Sequence, residues 1–579
     1  MKSMINNVIS IVFIGSLFQS ILSAVEIRGW NILSDNIDIA EKTIYHAKNY
    51  NINHLQLSHH LIHNLKEVSD VSKLKKINYL ATLAHNEGIQ KVYIWDHALY
   101  QKNYYPKKFF KENTNKLDLD NQEFWEWFRH DYKNKLEKIK IIDGIVLTFI
   151  ETGMRIENQY SKLYPSSMQK FKKLINELNS VVNGYFGMDL ILRTFSYNNS
   201  EIENIVGVVN DLNDNNIYIM IKESNHDFFI THPPNNLIDI IGKNKRIIIE
   251  FDAAHEFSGQ GVVASIFPDF HFQKAKYFSK YENVLGYSIR LDRYGDTSII
   301  DKPTEINLFS IDKGFSNYSL SSDQVIKQYI AKVYGKENVG TLFRVFDESD
   351  DIILSSFYTL GLNTARHSKL NFDYRSIYTR HVSGRWLENP VIYIKNSVNK
   401  EYHYWKDIVN YLSPKKHKAG QGFYKTTSSP NDSISYMVLN KLEIPDVIDK
   451  GWLVPEELMD ENILKDILKE KKWSINKTKE LLKLVDDVKS DINQIEYKKL
   501  KRMFERTLLT VRLRAAVAAV YYGARIKPNT LKVSQIIKNN KSEANKVIKE
   551  IEDYNLSYPI GEYNWKKDSE LARVYINDN

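Results

Sequence analysis

Four carboxylates stand at or just past the ends of short apolar, β-branched runs. Glu151 follows Ile145–Ile150, Asp227 follows Ile217–Ile221, Glu250 lies within Ile247–Phe251, and Glu256 comes five residues after that run. Three cations hold equivalent places: Arg193 inside Leu190–Phe195, Lys222 directly after Ile221, and Arg290 near the end of Val284–Leu291. Carboxyl groups far apart in sequence but alike in position suit acid–base chemistry on a bond between them. Cleaving a glycosidic bond needs one carboxyl protonated for the leaving oxygen and a second that attacks or activates water. An arginine or lysine beside them can hold an acidic substrate group or depress a neighbouring carboxyl.

Such residues converge only if the runs are strands of one sheet, parallel and in register. From Val25 onward, apolar runs alternate with helix-like stretches at roughly the spacing of βα units. The expected strands are Glu26–Leu33, Asn53–Leu57, Gln90–Trp95, Gly144–Ile150, Leu190–Phe195, Ile217–Ile221, Ile247–Phe251 and Val284–Leu291. Helical periodicity covers Ile37–Tyr50, Gln122–Ile139, Ser167–Val182 and Glu201–Leu212. Eight strands with ionisable residues at one end predict a (β/α)₈ barrel whose substrate site lies at the C-terminal mouth.

Past residue 300 the pattern becomes helical, over Asp323–Tyr334, Asp347–Leu360, Asn462–Glu470, Ile475–Val488 and Gln494–Gly523. Apolar Leu508, Leu509, Val511, Leu513, Ala516, Val517 and Val520 mark the last of these as a buried helix. The expected division is a signal peptide over 1–24, the barrel over 25–310, a mixed helical and irregular connection over 311–430, and an α-helical C-terminal domain over 431–579. That last domain is the expected route to a homodimer.

Met1–Ala24 reads as a secretory signal, with Lys2, an apolar Val8–Leu22 and small Ser23-Ala24. No later apolar run approaches 18 residues, so no membrane span is expected. The chain has no cysteine, which excludes disulfides and thiolate metal sites; export without cysteine fits a bacterial periplasmic or extracellular protein. The net charge of +8 is spread along the chain without an Arg-rich block or a basic helix face, which argues against a nucleic-acid partner.

One stretch resembles a known family. Ile221-Lys222, Asp227-Phe228, Pro233-Pro234, Glu250 and Glu256-Phe257-Ser258-Gly259-Gln260 follow the order of motifs in the α-glucuronidases of glycoside hydrolase family 67. Leu192-Arg193-Thr194-Phe195 with Tyr197 is similar to that family's arginine-bearing fifth strand, and Glu151 falls where the family keeps its acid. The resemblance spans about residues 27 to 300. It implies Glu151 as general acid, Asp227 and Glu256 as the carboxylates that activate water with inversion, and Arg193 and Lys222 as contacts to an acidic sugar. Where the family has a lysine one turn before its acid, this chain reads Leu147-Thr148-Phe149-Ile150, with no cation.

The residues alone leave alternatives open. Glu151 with Glu250 would make a retaining pair, at the shorter separation that nucleophilic attack requires. A non-catalytic carbohydrate-binding barrel and a polysaccharide lyase use the same residue types. His59, His60, His97, His226 and His255 lie at strand ends without the spacing that fixes a metal on one helix face; they read as hydrogen-bonding groups, and neither metal nor cofactor is called for. Trp30, Trp95 and Tyr197 are candidate sugar-stacking rings that core packing would equally explain. The expected substrate-binding set is therefore Arg193, Lys222, Glu250, Trp30, His97, Tyr197 and Arg290. The expected partner is a poly- or oligosaccharide, with a uronic acid unit among the candidates.

Overall fold

The computed structural model describes residues 25–148, 151–195, 199–212, 216–224, 227–228, 230, 234–235, 237–317, 319–359, 362–363, 365–370, 460–559 and 565–578. The expected signal segment, Tyr197, His226, the second half of the expected connection (371–430) and the start of the expected C-terminal domain (431–459) lie outside them.

Eight parallel strands close into a barrel in chain order: β1 (Ile27–Ile32), β2 (His54–Leu57), β3 (Lys91–His97), β4 (Gly144–Thr148), β5 (Asp189–Arg193), β6 (Ile217–Lys222), β7 (Arg246–Asp252) and β8 (Val284–Arg290), with β8 pairing back to β1. Helices follow the strands: Ile37–His46, Val71–Asn86, Gln122–Leu136, Ser167–Val182, Asn199–Asp211, the single turn Leu237–Ile240, Pro268–Phe278 and Ile306–Ser316. The last of these packs on its predecessor as the eighth barrel helix, so the barrel runs on past residue 310 to Ser316. Local chemistry sets the helix starts. Asp70 caps two backbone N–H groups, and Ser166 with Gln169 forms a reciprocal capping box.

Side chains alternate across each strand, so every strand feeds two cores. Ile27, Tyr93, Trp95, Val146, Ile191, Met220 and Ile248 fill the barrel interior. The intervening residues, including Trp30, Leu55, Ile94, Leu147, Leu192, Ile221 and Ile249, pack outward against the helices. Trp30 is thus on the far side of β1 from the interior. It stacks near His46 and Tyr50 at ring-centroid distances of 6.4 and 5.6 Å and takes no part in the mouth. At Gly144 a Cβ would sit 2.3 Å from the Asp189 carbonyl oxygen, so the close approach of β4 and β5 requires glycine there.

Beyond the barrel, Ser322–Val333, Val339–Asp347 and Ser349–Phe357 lead to a helical assembly of Glu461–Asp487, Gln494–Gly523, Leu531–Ser557 and Trp565–Asp578. The expected helices Asn462–Glu470 and Ile475–Val488 are one continuous helix. The polar stretch between them is held by burial: Lys471 donates to the Ser355 carbonyl at 2.8 Å and pairs with Glu470 at 2.7 Å. The expected Asp347–Leu360 helix is Ser349–Phe357: Asp347 ends the preceding helix Val339–Asp347, and the backbone becomes extended at Tyr358. The central helix Gln494–Gly523 clamps the segment after β7, where Thr507 Oγ1 accepts from Ala264 N at 2.8 Å and Arg506 Nε donates to Val262 O at 3.0 Å.

Because Trp30 is fully buried between strand and helix, Trp30→Ala is expected to cost about 3–5 kcal/mol of stability in urea unfolding. Affinity for a mouth ligand should be unchanged under native conditions.

Candidate active site

The inward-facing positions nearest the C-terminal ends of the strands form the top layer at the mouth: Asn31, Ser58, His97, Thr148, Arg193, Lys222, Glu250 and Arg290. All are buried and all are polar. Charges here are tolerated because each has a counter-charge within contact distance. Arg193 Nε donates to Glu250 Oε2 at 2.7 Å, with its guanidinium 4.7 Å from the Trp95 ring centroid. Trp95 is fixed in turn by a hydrogen bond from Nε1 to Gln56 Oε1 at 3.0 Å. Lys222 Nζ donates to Asp227 Oδ1 at 2.6 Å and lies 3.9 and 4.6 Å from the rings of Phe195 and Phe228. Burial lowers the Lys222 amine; the Asp227 carboxylate opposes that effect.

Arg290 joins the two acidic centres. Its Nη1 donates to Glu256 Oε2 at 3.0 Å, its Nη2 to His59 Nε2 at 2.8 Å, and its Nε faces Glu250 Oε1 across 4.0 Å. Burial, reinforced by Arg290 itself, lowers His59, so the ring stays neutral and Nε2 accepts. Glu256 also meets Arg293 at 3.5 Å and His367 Nδ1 at 2.8 Å. Burial alone would raise the Glu256 carboxyl. Arg293, the hydrogen bond from His367 and Arg290 outweigh it and hold the group well below the usual carboxylate range. Its neighbour Asp252, whose Oδ2 accepts from Glu256 N at 2.7 Å, goes the other way: burial pushes it up to about 6. Two carboxyls one helical turn apart in sequence therefore keep opposite protonation preferences.

Glu151 is exposed on the loop after β4, with a left-handed backbone at φ 62°. Its charge reaches His63, whose ring stacks on His97 at 3.8 Å. His97 donates from Nδ1 to the His63 carbonyl at 2.6 Å; burial lowers it to about 3, so it is neutral. Six of the nine non-glycine residues with left-handed backbone among the described residues border this mouth: His59, Glu151, His255, Gln260, His367 and Ser368. Backbone strain of this kind concentrates at sites held for function.

The structure thus unites Arg193, Glu250, Arg290 and Glu256 in one contact chain. Asp227 and Lys222 are paired beside it, and the Asp227 charge reaches both Arg290 and Asp252. Glu151 stands on the His63–His97 flank. His367 was not foreseen: it lies in Ala365-Arg366-His367-Ser368, a stretch with no periodicity or motif to single it out. Arg193 and Lys222 are each paired with a buried acid, which offsets their charge. Among the described residues, one group could ligate a cation, His46, Asp301 and Glu305, in the helix layer rather than the mouth. There Asp301 already pairs with Lys42 at 2.7 Å, and Glu305 accepts from Tyr50 at 2.7 Å.

No family model matches the chain, and no curated protein matches it. Solved structures similar to it include a variant of the O-GlcNAc hydrolase of Thermobaculum terrenum, at 9% identity and TM-score 0.42 over 95% of this chain and 93% of that one. CpGH84B matches at 11% identity and TM-score 0.41, covering 96% of this chain and 77% of that one. BtGH115A, a GH115 4-O-methyl-α-glucuronidase with specificity for decorated arabinogalactans, matches at 10% identity and TM-score 0.48 over 96% of this chain and 62% of that one. Likenesses at this level say nothing of chemistry, which is read from the residues themselves.

Two outcomes are expected. Arg193→Met leaves Glu250 buried without its hydrogen-bonded partner and should cost about 3–5 kcal/mol in urea unfolding, most of it recovered in Arg193→Met/Glu250→Leu. His97, held neutral in the fold, binds a proton in the unfolded chain near the ordinary histidine value, so its contribution is lost as pH falls from about 6.5 towards 3. His97→Gln should flatten the stability-versus-pH slope by up to about 1.4 kcal/mol per pH unit in that window.

Proposed function

We propose that this chain is an exported glycoside hydrolase acting on a polysaccharide or an oligosaccharide derived from it, by acid–base catalysis with inversion. The observation that carries the reading is the mouth of the closed barrel. There, carboxylates of opposite protonation preference and buried cations surround the faces of Trp95, Phe195 and Phe228. Fixed ion pairs suit hydroxyl recognition, and carboxyl groups supply the proton transfers.

Glu151, exposed at the rim, is the general acid. Asp227, ion-paired with Lys222 at 2.6 Å, is the carboxylate that activates water. Both oxygens of Glu256 accept from cationic or imidazole donors, which favours Asp227 over Glu256 as the base and leaves Glu256 to fix Arg290. Inversion requires acid and base ~6.5–9.5 Å apart, with a water between base and sugar. The family 67 resemblance implies the same acid, Glu151, gives the water-activating role to both Asp227 and Glu256, and adds a uronic acid unit. The neutralised state of Arg193 and Lys222 favours a neutral sugar at that position.

The test is a panel of para-nitrophenyl α- and β-glycosides together with neutral and acidic polysaccharides, followed by reducing-end release and proton NMR of the fresh product. Turnover with inverted product is expected, and Glu151→Gln should lower kcat by about 10²–10⁴-fold without changing the melting temperature. Retention would move the second role to Glu250, whose Oε1 has no hydrogen-bond partner. An unsaturated product absorbing in the ultraviolet would mean a lyase, and saccharide binding without turnover a non-catalytic barrel.

A further inference from the structure

We propose that His367, delivered from outside the barrel by the helical domain, is a positioning residue that completes the mouth by fixing Glu256. It lies in a two-residue turn between the paired strands Ala365–Arg366 and Lys369–Leu370. His367 and Ser368 both have left-handed backbone, at φ 45° and 63°. Tight hairpin turns of this type normally use Asn or Gly, so two side-chain-bearing residues there need support from elsewhere.

That support comes from both sides. Towards the barrel, Ser368 Oγ donates to Glu256 O and accepts from Gly259 N, each at 2.8 Å, and Gln260 Nε2 donates to the His367 carbonyl at 3.2 Å. Towards the helical domain, Arg514 Nη2 donates to Ser368 O at 2.8 Å and Leu370 N to Asp568 Oδ1 at 2.8 Å, with Arg514 and Asp568 3.5 Å apart. Arg514 lies on the central helix and Asp568 on the last one. The turn is therefore clamped between the Glu256 loop and two helices that begin more than a hundred residues later.

The imidazole has one orientation consistent with these contacts. Glu256 is ionised and can only accept, so His367 Nδ1 at 2.8 Å carries the proton. The side chain is 38% exposed, in contrast to 8% for Glu256. Glu256 in turn holds Arg290, which faces Glu250. Through this chain the helical domain sets the geometry of a barrel site it does not itself contain.

The activity arm of the test rests on the glycoside hydrolase reading; the spectroscopic arm does not. With whichever para-nitrophenyl glycoside is turned over, His367→Ala should lower kcat/KM by roughly 10–100-fold, the size of losing one hydrogen bond to a charged group. It should also move the acidic limb of the pH profile upward, because Glu256 loses a donor. His367→Asn, whose side-chain amide can replace Nδ1–H, should remain within about threefold of the parent on the same criterion. In the full-length protein, the ¹⁵N shifts of the His367 ring should show the proton on Nδ1. An unchanged pH profile and kcat/KM in His367→Ala, or His367→Asn no better than His367→Ala, overturns the proposal. So does a ring protonated on Nε2 alone. If no glycoside is turned over, the catalytic reading fails, and the tautomer alone decides the role of His367.

Discussion

The mouth depends on the cost of taking charge out of water. Arg193, Lys222, Glu250 and Arg290 occupy one inward-facing layer with almost no solvent contact. An isolated ion in such a place would lose several kcal/mol of hydration, so each must sit against an opposite charge. The pairings Arg193–Glu250, Lys222–Asp227 and Arg290–Glu256 meet that demand and leave little freedom to any member. The same constraint separates the protonation of the acids. Glu256, surrounded by donors, stays ionised, whereas Asp252 and the buried Glu223, pushed up to about 6 and about 7, do not share that many partners. Preorganised charge of this kind is what a site needs if it is to act on a bond without rearranging.

The barrel does not hold this arrangement unaided. The segment from Ala253 to Phe267, which carries Glu256, is buried along its whole length. It is covered on one side by the central helix through Thr507 and Arg506, and on the other by the His367–Ser368 turn. Here the domain junction is a set of directional hydrogen bonds. The helical domain thus acts as an outer wall for the loop that carries Glu256, and the placement of Glu256 is a property of both parts of the chain.

Much of the barrel was legible because its signals are local. Parallel strands buried on both faces read as continuous β-branched runs. Ser167–Val182 and Gln494–Gly523 were placed to the residue. The failures share a cause. The helix Glu461–Asp487 looked like two because the Lys471 ammonium in its polar middle is satisfied by the carbonyls of Ser355 and Tyr358, distant in sequence, and by the buried Glu470. Trp30 looked like a mouth residue because its side of β1 is set by the pairing of β1 with β2 and β8, not by its own neighbours.

The sequence by itself determined that eight strands would close a barrel and that Glu151, Arg193, Lys222, Asp227, Glu250, Glu256 and Arg290 would lie near their C-terminal ends, since strand period and chain order decide both. Only the tertiary structure decided who pairs with whom. Register across the closed sheet sets Lys222 beside Glu250, and side-chain reach then gives Lys222 to Asp227 and Glu250 to Arg193. His367 belongs wholly to the second category. Its role arises from a contact between residues 111 positions apart, made by a turn that two later helices hold in place, and no local pattern encodes such a meeting.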